Sequence, residues 1–181
     1  MSNRWSPHVF RIAMCGLTLF LASSSVAQET PVVELSGGYQ YMSDISAEET
    51  FPQGWFASAG WNVTDWLAIV GEFTNSARTI EGSDIKVYTT MGGVRFRNGG
   101  FFGQVLVGQL AIQLEEFILI GTLDQTLTET AIQPGVGFDI GISNSVSARI
   151  KADYLHIFSD EDDFGRQLRI AAGVVVGIGG R

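Results

Sequence analysis

The chain has 181 residues, 45% of them hydrophobic, and a formal net charge of −8. That length suits one domain, and the acidic balance argues against nucleic acid, whose partners are basic. One cysteine, Cys15, excludes an internal disulfide. The 22 glycines suit sheets that bend and pack closely better than long helices.

The first 27 residues read as a signal peptide. Arg4, His8 and Arg11 form a positive start, Ile12–Leu21 is a short apolar run, and Ser25-Val26-Ala27 fits a cleavage site before Gln28. The run is too short for a spanning helix. Met14 stands before Cys15 where a lipoprotein would need a small residue. The mature domain is then 28–181, without cysteine. Loss of Arg4 and Arg11 takes its net charge to −10.

Eight strand-like segments follow. In Val32–Tyr41, Val33, Leu35, Gly37, Tyr39 and Tyr41 alternate with Glu34, Ser36, Gly38 and Gln40. Ser43–Gly54 is polar. Trp55–Asn62 has small and aromatic residues on both parities, so its faces are ambiguous. A tight turn near Asn62–Asp65 leads to Trp66–Thr74, where Leu67, Ile69 and Phe73 oppose Ala68, Val70 and Glu72. Asn75–Ile85 is polar and loop-like. Lys86–Phe96 sets Tyr88, Thr90, Val94 and Phe96 against Arg95. Asn98-Gly99-Gly100 is a strong turn signal. Phe101–Gln113 carries Gln104 and Gln109 at opposite parity, which leaves its facing open. A long loop is expected over about Leu114–Thr130.

The clearest pattern is the hairpin Ala131–Phe158. Val146, Ala148, Ile150, Ala152, Tyr154 and Phe158 oppose Ser147, Arg149, Lys151 and Asp153. Ile132, Val136, Phe138 and Ile140 likewise oppose Gln133, Gly135, Gly137 and Asp139. Residues opposite one another in an antiparallel pair share a face. An odd loop, Ser143–Ser145, therefore sets Asp139 opposite Arg149 and keeps the faces apart; an even loop would mix them. Ser159–Arg166 is an acidic loop. In Gln167–Ile178, Leu168, Ile170, Ala172, Val174, Val176 and Ile178 oppose Arg169, Ala171, Gly173 and Val175.

Connections after segments two, four and six are short, and those after one, three, five and seven are long. That is the layout of an eight-stranded antiparallel up-and-down transmembrane β-barrel. Pairing of the first strand with the last would remove both free edges. Periodicity alone leaves open which face is inside; a soluble lipocalin-like barrel would put the apolar face inward. Export, strand lengths near the roughly 9–11 residues that cross a bilayer, and aromatics near strand ends (Trp55, Trp61, Trp66, Phe96, Phe101, Tyr154, Phe158) favour the membrane. The polar faces then supply a lumen network: Glu34, Glu72, Asp139 and Asp153 against Arg95, Arg149, Lys151 and Arg169. Buried charges need partners, and a filled eight-strand lumen would demand such balance.

The segments WNVTDWLAIVGEF, FFGQVLVG, PGVGFDIGISNSVSARIKADYLHIF and QLRIAAGVVVGI resemble the outer-membrane β-barrel domain family related to the OmpA transmembrane domain. The resemblance spans nearly the whole mature chain and implies a bacterial outer-membrane location. It implies contact with outer-membrane lipids and lipopolysaccharide, and insertion by the assembly machinery. Such barrels usually end on an aromatic residue; this chain ends Ile178-Gly179-Gly180-Arg181. No peptidoglycan-binding domain is expected after it.

Chemistry is sparse. His156, with Ser159 and Asp160, offers an alternative reading as a lipid-modifying barrel enzyme. Its parity with Tyr154 and Phe158 instead makes it a rim histidine on the lipid side. Asp160-Glu161-Asp162-Asp163 lacks EF-hand spacing, because position five is Phe164 and position twelve is Ala171. Gly135-Val136-Gly137 lacks the third glycine of a phosphate loop. The expectation is a non-enzymatic barrel without cofactor or metal. Its role is membrane integrity or surface recognition, and its acidic loops are free to meet an extracellular partner.

Overall fold

Alternation of residues along each segment is realised as one closed sheet. The computed structural model describes residues 30–44, 50–80, 83–118, 121–158 and 165–180. The signal-peptide reading, Cys15 and the loop residues Ser159 and Asp160–Asp163 lie outside them. The strands are β1 (Pro31–Asp44), β2 (Gln53–Asn62), β3 (Leu67–Ile80), β4 (Ser83–Asn98), β5 (Phe101–Ile118), β6 (Gly121–Gly141), β7 (Val146–Phe158) and β8 (Arg166–Gly180). A two-residue strand, Thr50–Phe51, pairs with the end of β1 and is separated from β2 by Pro52. Each long strand pairs antiparallel with its neighbours in the chain, and β1 pairs with β8 to close the barrel.

The turns follow the local chemistry. Val63–Trp66 joins β2 to β3, and Thr64 Oγ1 accepts the Leu67 N–H at 3.1 Å. Gly99–Gly100 is a two-residue turn between Asn98 and Phe101. Gly99 has φ +62°, the left-handed value needed at the first central position of a type II′ hairpin. Ile142 N–H donates to Val146 O at 2.9 Å, so Ser143–Ser145 forms a three-residue loop. Its odd length sets Asp139 opposite Arg149 and Ile140 opposite Ala148.

Three polar stretches that read as loops are strand for much of their length. Ser43–Gly54 contains the end of β1 and the start of β2; Asn75–Ile85 is mostly β3 and β4. Leu114–Thr130 belongs to the β5–β6 hairpin, which stays paired to Ile118 opposite Gly121. β6, at 21 residues, is about twice the length that crosses a bilayer. The extensions run beyond the length that crosses a bilayer; their outward faces are polar as well, as at Thr50 and Gln53, so the contrast between faces weakens although Phe51 and Ile85 still join a buried apolar cluster.

The molecule is inside out relative to a soluble barrel. Leu35, Ile69, Val107, Val136, Ile150 and Ile170 are about half exposed, while Glu34, Glu72, Arg95, Arg149, Lys151, Asp153 and Arg169 are buried. This is the arrangement of a transmembrane barrel and the reverse of the lipocalin type. β2, ambiguous in sequence, points Gly54, Phe56, Ser58, Gly60 and Asn62 inward. β5 points Gln104 inward and Gln109 outward. Exposed aromatics mark both limits of the belt. Trp61, Trp66, Phe96 and Phe101 lie at the short-turn end, with Trp66 stacked on Phe96 at 6.1 Å. Tyr39, Trp55, Phe73, Tyr154 and Phe158 lie toward the other, with Trp55 5.5 Å from Phe73. Trp55 and Trp61 are six residues apart on one strand, roughly 20 Å along it.

Inward glycines leave room for larger neighbours. A Cβ on Gly137 would lie 2.3 Å from Phe102 Cζ and 2.7 Å from Ile150 O. Gly137→Ala is expected to destabilise the barrel by about 1–3 kcal/mol through overpacking, read as a lower urea midpoint.

Candidate functional site

The polar parities of all eight strands converge in the lumen, and their side chains fill it in tiers. Glu34 centres the tier nearest the short turns. Arg95 Nη1 donates to it at 3.3 Å, Arg149 Nη2 at 3.4 Å and Asn62 Nδ2 at 3.4 Å; Arg97 also pairs with it. Arg149 forks onto Asp139, with Nε and Nη2 each 2.7 Å from a carboxylate oxygen, and Nη1 reaches Ser36 at 3.3 Å. Two parallel donors on one carboxylate make a strong, oriented pair. The Phe102 ring lies against both guanidiniums, 4.8 Å from Arg95 Cζ and 4.7 Å from Arg149 Cζ. These contacts add a cation–π attraction out of water.

Lys151 centres the next tier. Its Nζ donates to both Glu72 oxygens at 2.6 Å and pairs with Asp153 at 2.9 Å; all three side chains are only 1% exposed. It also sits 4.7 Å from the Phe56 ring centre. Gln104 ties the tiers together. It accepts from Arg95 Nη2 at 2.9 Å and donates to Asp153 Oδ1 at 2.9 Å. Gln133 donates to Glu72 at 3.0 Å and accepts from Arg169 Nη1 at 3.1 Å.

Seven of the eight residues Glu34, Glu72, Arg95, Asp139, Arg149, Lys151, Asp153 and Arg169 therefore join in ion pairs. Arg169 is placed differently. It donates to Gln133 and, at 3.3 Å, to Thr89, and forms no ion pair among the described residues. Its Nε and Nη2 have no hydrogen-bond partner there. Alternation would have located Arg97, two residues after Arg95 on the same face, and its inclusion makes five bases against four acids. Gln133 and Ser36 carry no charge signal and are marked only by their parity, while Gln104, Phe56 and Phe102 belong to segments whose facing alternation leaves open.

Above the ionic tiers the interior turns apolar. Met42, Phe51, Val87, Leu110, Leu155 and Ile157 are buried together. Among the described residues the lumen is thus filled by buried side chains, ionic in the lower tiers and apolar above them. A groove of ≈ 500 Å³ on the outer wall is lined by Phe96, Val105, Val136, Tyr154 and Leu168, with the lumen residues Gln104 and Asp153 also in its lining. His156 lies outside too, half-buried, with its ring edge-on to Phe158 at 5.0 Å. Among the described residues no three acidic, histidine or cysteine groups are placed to hold a metal ion.

No family model matches the chain, and no curated protein matches it in sequence. Solved structures share its fold. Ail, the attachment invasion locus protein of Yersinia pestis, solved in complex with the heparin analogue sucrose octasulfate, is similar with a TM-score of 0.62 and 17% identity, over 81% of this chain and 98% of that one. Neisserial surface protein A is similar with a TM-score of 0.55 and 16% identity, over 81% and 96%. The N-terminal β-barrel domain of Pseudomonas aeruginosa OprF is similar with a TM-score of 0.53 and 12% identity, over 82% and 98%. The common feature is the small outer-membrane β-barrel.

Proposed function

We propose that this chain is a structural barrel of the bacterial outer membrane whose outward, acidic end recognises partners at the cell surface. The observation that carries the reading is the filled lumen. With the interior filled by a hydrogen-bonded charge network and an apolar tier, the outer surface is left to carry function.

Charge is segregated along the barrel. By chain position, the strand ends and connections at the long-loop end hold Asp44, Glu48, Glu49, Glu81, Asp84, Glu115, Glu116, Asp124, Glu129 and Asp160–Asp163. Against these thirteen acids stand Arg78, Lys86 and Arg166. An excess of this size attracts cations and repels polyanions over about a Debye length. The polyanion on Ail is therefore a poor guide to a partner here. Divalent cations, and through them lipopolysaccharide, fit the acidic end, while outer-membrane lipids fit the apolar belt. Export by a signal peptide over 1–27 and insertion by the assembly machinery belong to the same reading.

Gel mobility of the envelope fraction with and without boiling tests it. The expected result is a heat-dependent shift in the outer-membrane fraction, with no conductance steps from the purified barrel in planar bilayers. A steady open channel would overturn the reading of a filled, non-conducting lumen.

A lipid-modifying activity would centre on His156. Its outward position and ring contact with Phe158 suit an interfacial residue, and a catalytic base needs an orienting partner and a nucleophile within reach. His156→Ala is expected to leave lipid A composition unchanged by mass spectrometry. A lost lipid A species would reinstate the enzyme reading.

A further inference from the structure

The wall of a barrel is one backbone thick, and side-chain size sets its outer relief. On β5, β6 and β7 the outward positions Gly103, Pro134 and Ala152 are short, while Phe96, Val105 and Tyr154 stand around them. The result is the groove of ≈ 500 Å³ on the outer wall.

The sheet is interrupted at the same place. The β6–β7 pairing reaches Ile132 opposite His156 and Gly135 opposite Asp153, and passes over Gln133 and Pro134 between them. Ile142 N–H donates to Val146 O, toward β7, and successive residues of an antiparallel strand present their N–H to alternate sides. The even-numbered positions of β6 therefore aim N–H at β7, and proline at 134 has none to give. Tyr154, opposite Pro134 in the same register, has a carbonyl with no ladder donor from that position. Behind this stretch the Asp153 carboxylate lies directly against Gly135, where a Cβ would overlap it, and pairs with Lys151 at 2.9 Å. Backbone alone separates the groove from that ion pair.

Position identifies the occupant. Phe96 stacks on Trp66 in the girdle at the short-turn end. From Phe96 the ladder leads through Gly103 and Val136 to Ala152, and Tyr154 lies two residues further along β7. That path covers roughly 16 Å, and it climbs into the hydrocarbon because the strands tilt. One leaflet is about as deep, being half of a core roughly 30 Å thick. The short turns of such barrels face the periplasm, and the leaflet on that side is phospholipid. Lipid tails are as apolar as the belt, so contact, not transfer from water, decides whether one stays. A chain seated in the groove touches the wall on more than one side, and an unfilled groove forfeits those contacts.

We propose that the groove holds one acyl chain of a phospholipid from the periplasmic leaflet as a fixed lipid of the barrel. The chain covers the interrupted ladder at Pro134 and keeps water from the backbone over Asp153 and Lys151. The inference rests on the barrel crossing the outer membrane and not on surface recognition, so either can fail alone.

The test places the barrel in phosphatidylethanolamine nanodiscs doped with a phospholipid that carries a diazirine on one acyl chain. After illumination, cross-links on Tyr154 are expected to exceed those on Tyr39 at least about tenfold, although Tyr39 is the more exposed of the two. Equal cross-linking overturns the proposal. Native mass spectrometry after mild detergent exchange should find one phospholipid retained. Gly103→Leu with Ala152→Leu fills the groove from the lipid side, and there is room for it, since a Cβ on Gly103 meets only Gly135 O at 3.9 Å. The pair should lower that occupancy at least about tenfold while keeping the heat-dependent mobility shift. Ala172→Leu, outward on β8 and away from the groove, should leave occupancy unchanged. Undiminished retention in the filled variant overturns the proposal. So does retention of lipopolysaccharide in place of phospholipid when both are supplied, or a dimer that the filled variant abolishes. The cross-linking uses the unsubstituted chain and decides the matter even if the filled variant does not fold.

Discussion

Lys151→Met should lower the stability of the folded barrel by about 3–5 kcal/mol, the largest effect expected of any single substitution in the lumen. The ammonium holds Glu72 at 2.6 Å and Asp153 at 2.9 Å, and neither carboxylate reaches water. Methionine keeps the length and flexibility of the chain, so the loss isolates the charge. It leaves two buried carboxylates facing one another and removes the contact with the Phe56 ring. Urea titration in micelles, followed by the fluorescence of the belt tryptophans, measures it. Adding Glu72→Gln to Lys151→Met should recover part of the loss, because removing both members of a buried pair costs less than removing one. An unchanged midpoint in the single variant would mean that the two carboxylates do not depend on the amine.

Arg149→Leu should cost about 2–4 kcal/mol, less than Lys151→Met although Arg149 makes more contacts. The difference lies in what remains behind. Asp139 is 16% exposed and so regains some solvation, and Glu34 keeps Arg95 and Arg97. Arg149→Lys should fall between, since an ammonium restores charge but not the two-pronged geometry on Asp139. If Arg149→Leu proved as costly as Lys151→Met, the exposure of Asp139 would be giving it no relief.

These expectations start from features readable along the chain, and the hairpin at Ala131–Phe158 shows why. Its two faces differ sharply in polarity, so a one-residue slip would place Arg149 and Lys151 in lipid. The register with Asp139 opposite Arg149 is the one that avoids this. β2 lacked that contrast. Trp55 and Trp61 face out while Phe56 faces in, and only closure of the barrel around the strand decides between aromatic residues of similar character. The extensions of β3–β6 were illegible for a different reason. There Thr128 and Thr130 face outward beside the inward-parity Glu129, so polarity no longer separates the two faces. Cross-lumen partners were beyond reach of any local pattern. Glu34 meets Arg95, Arg97 and Arg149 because of how the strands stagger around the barrel. That stagger is a property of the closed sheet.

The same cross-lumen pairs constrain the order of folding. Glu34 and Arg149 are 115 residues apart, Glu72 and Lys151 79, and Arg95 and Glu34 61. None of these contacts exists in an isolated hairpin, and all form together when β1 meets β8. A sheet half built within the bilayer would show lipid not only an unpaired edge but also unneutralised guanidinium and carboxylate groups. Closure must therefore precede or accompany entry into the hydrocarbon. The last seam to zip is then the step that makes the interior electrically tolerable, and kinetic traps should be open sheets waiting at the membrane surface, not partial barrels within it.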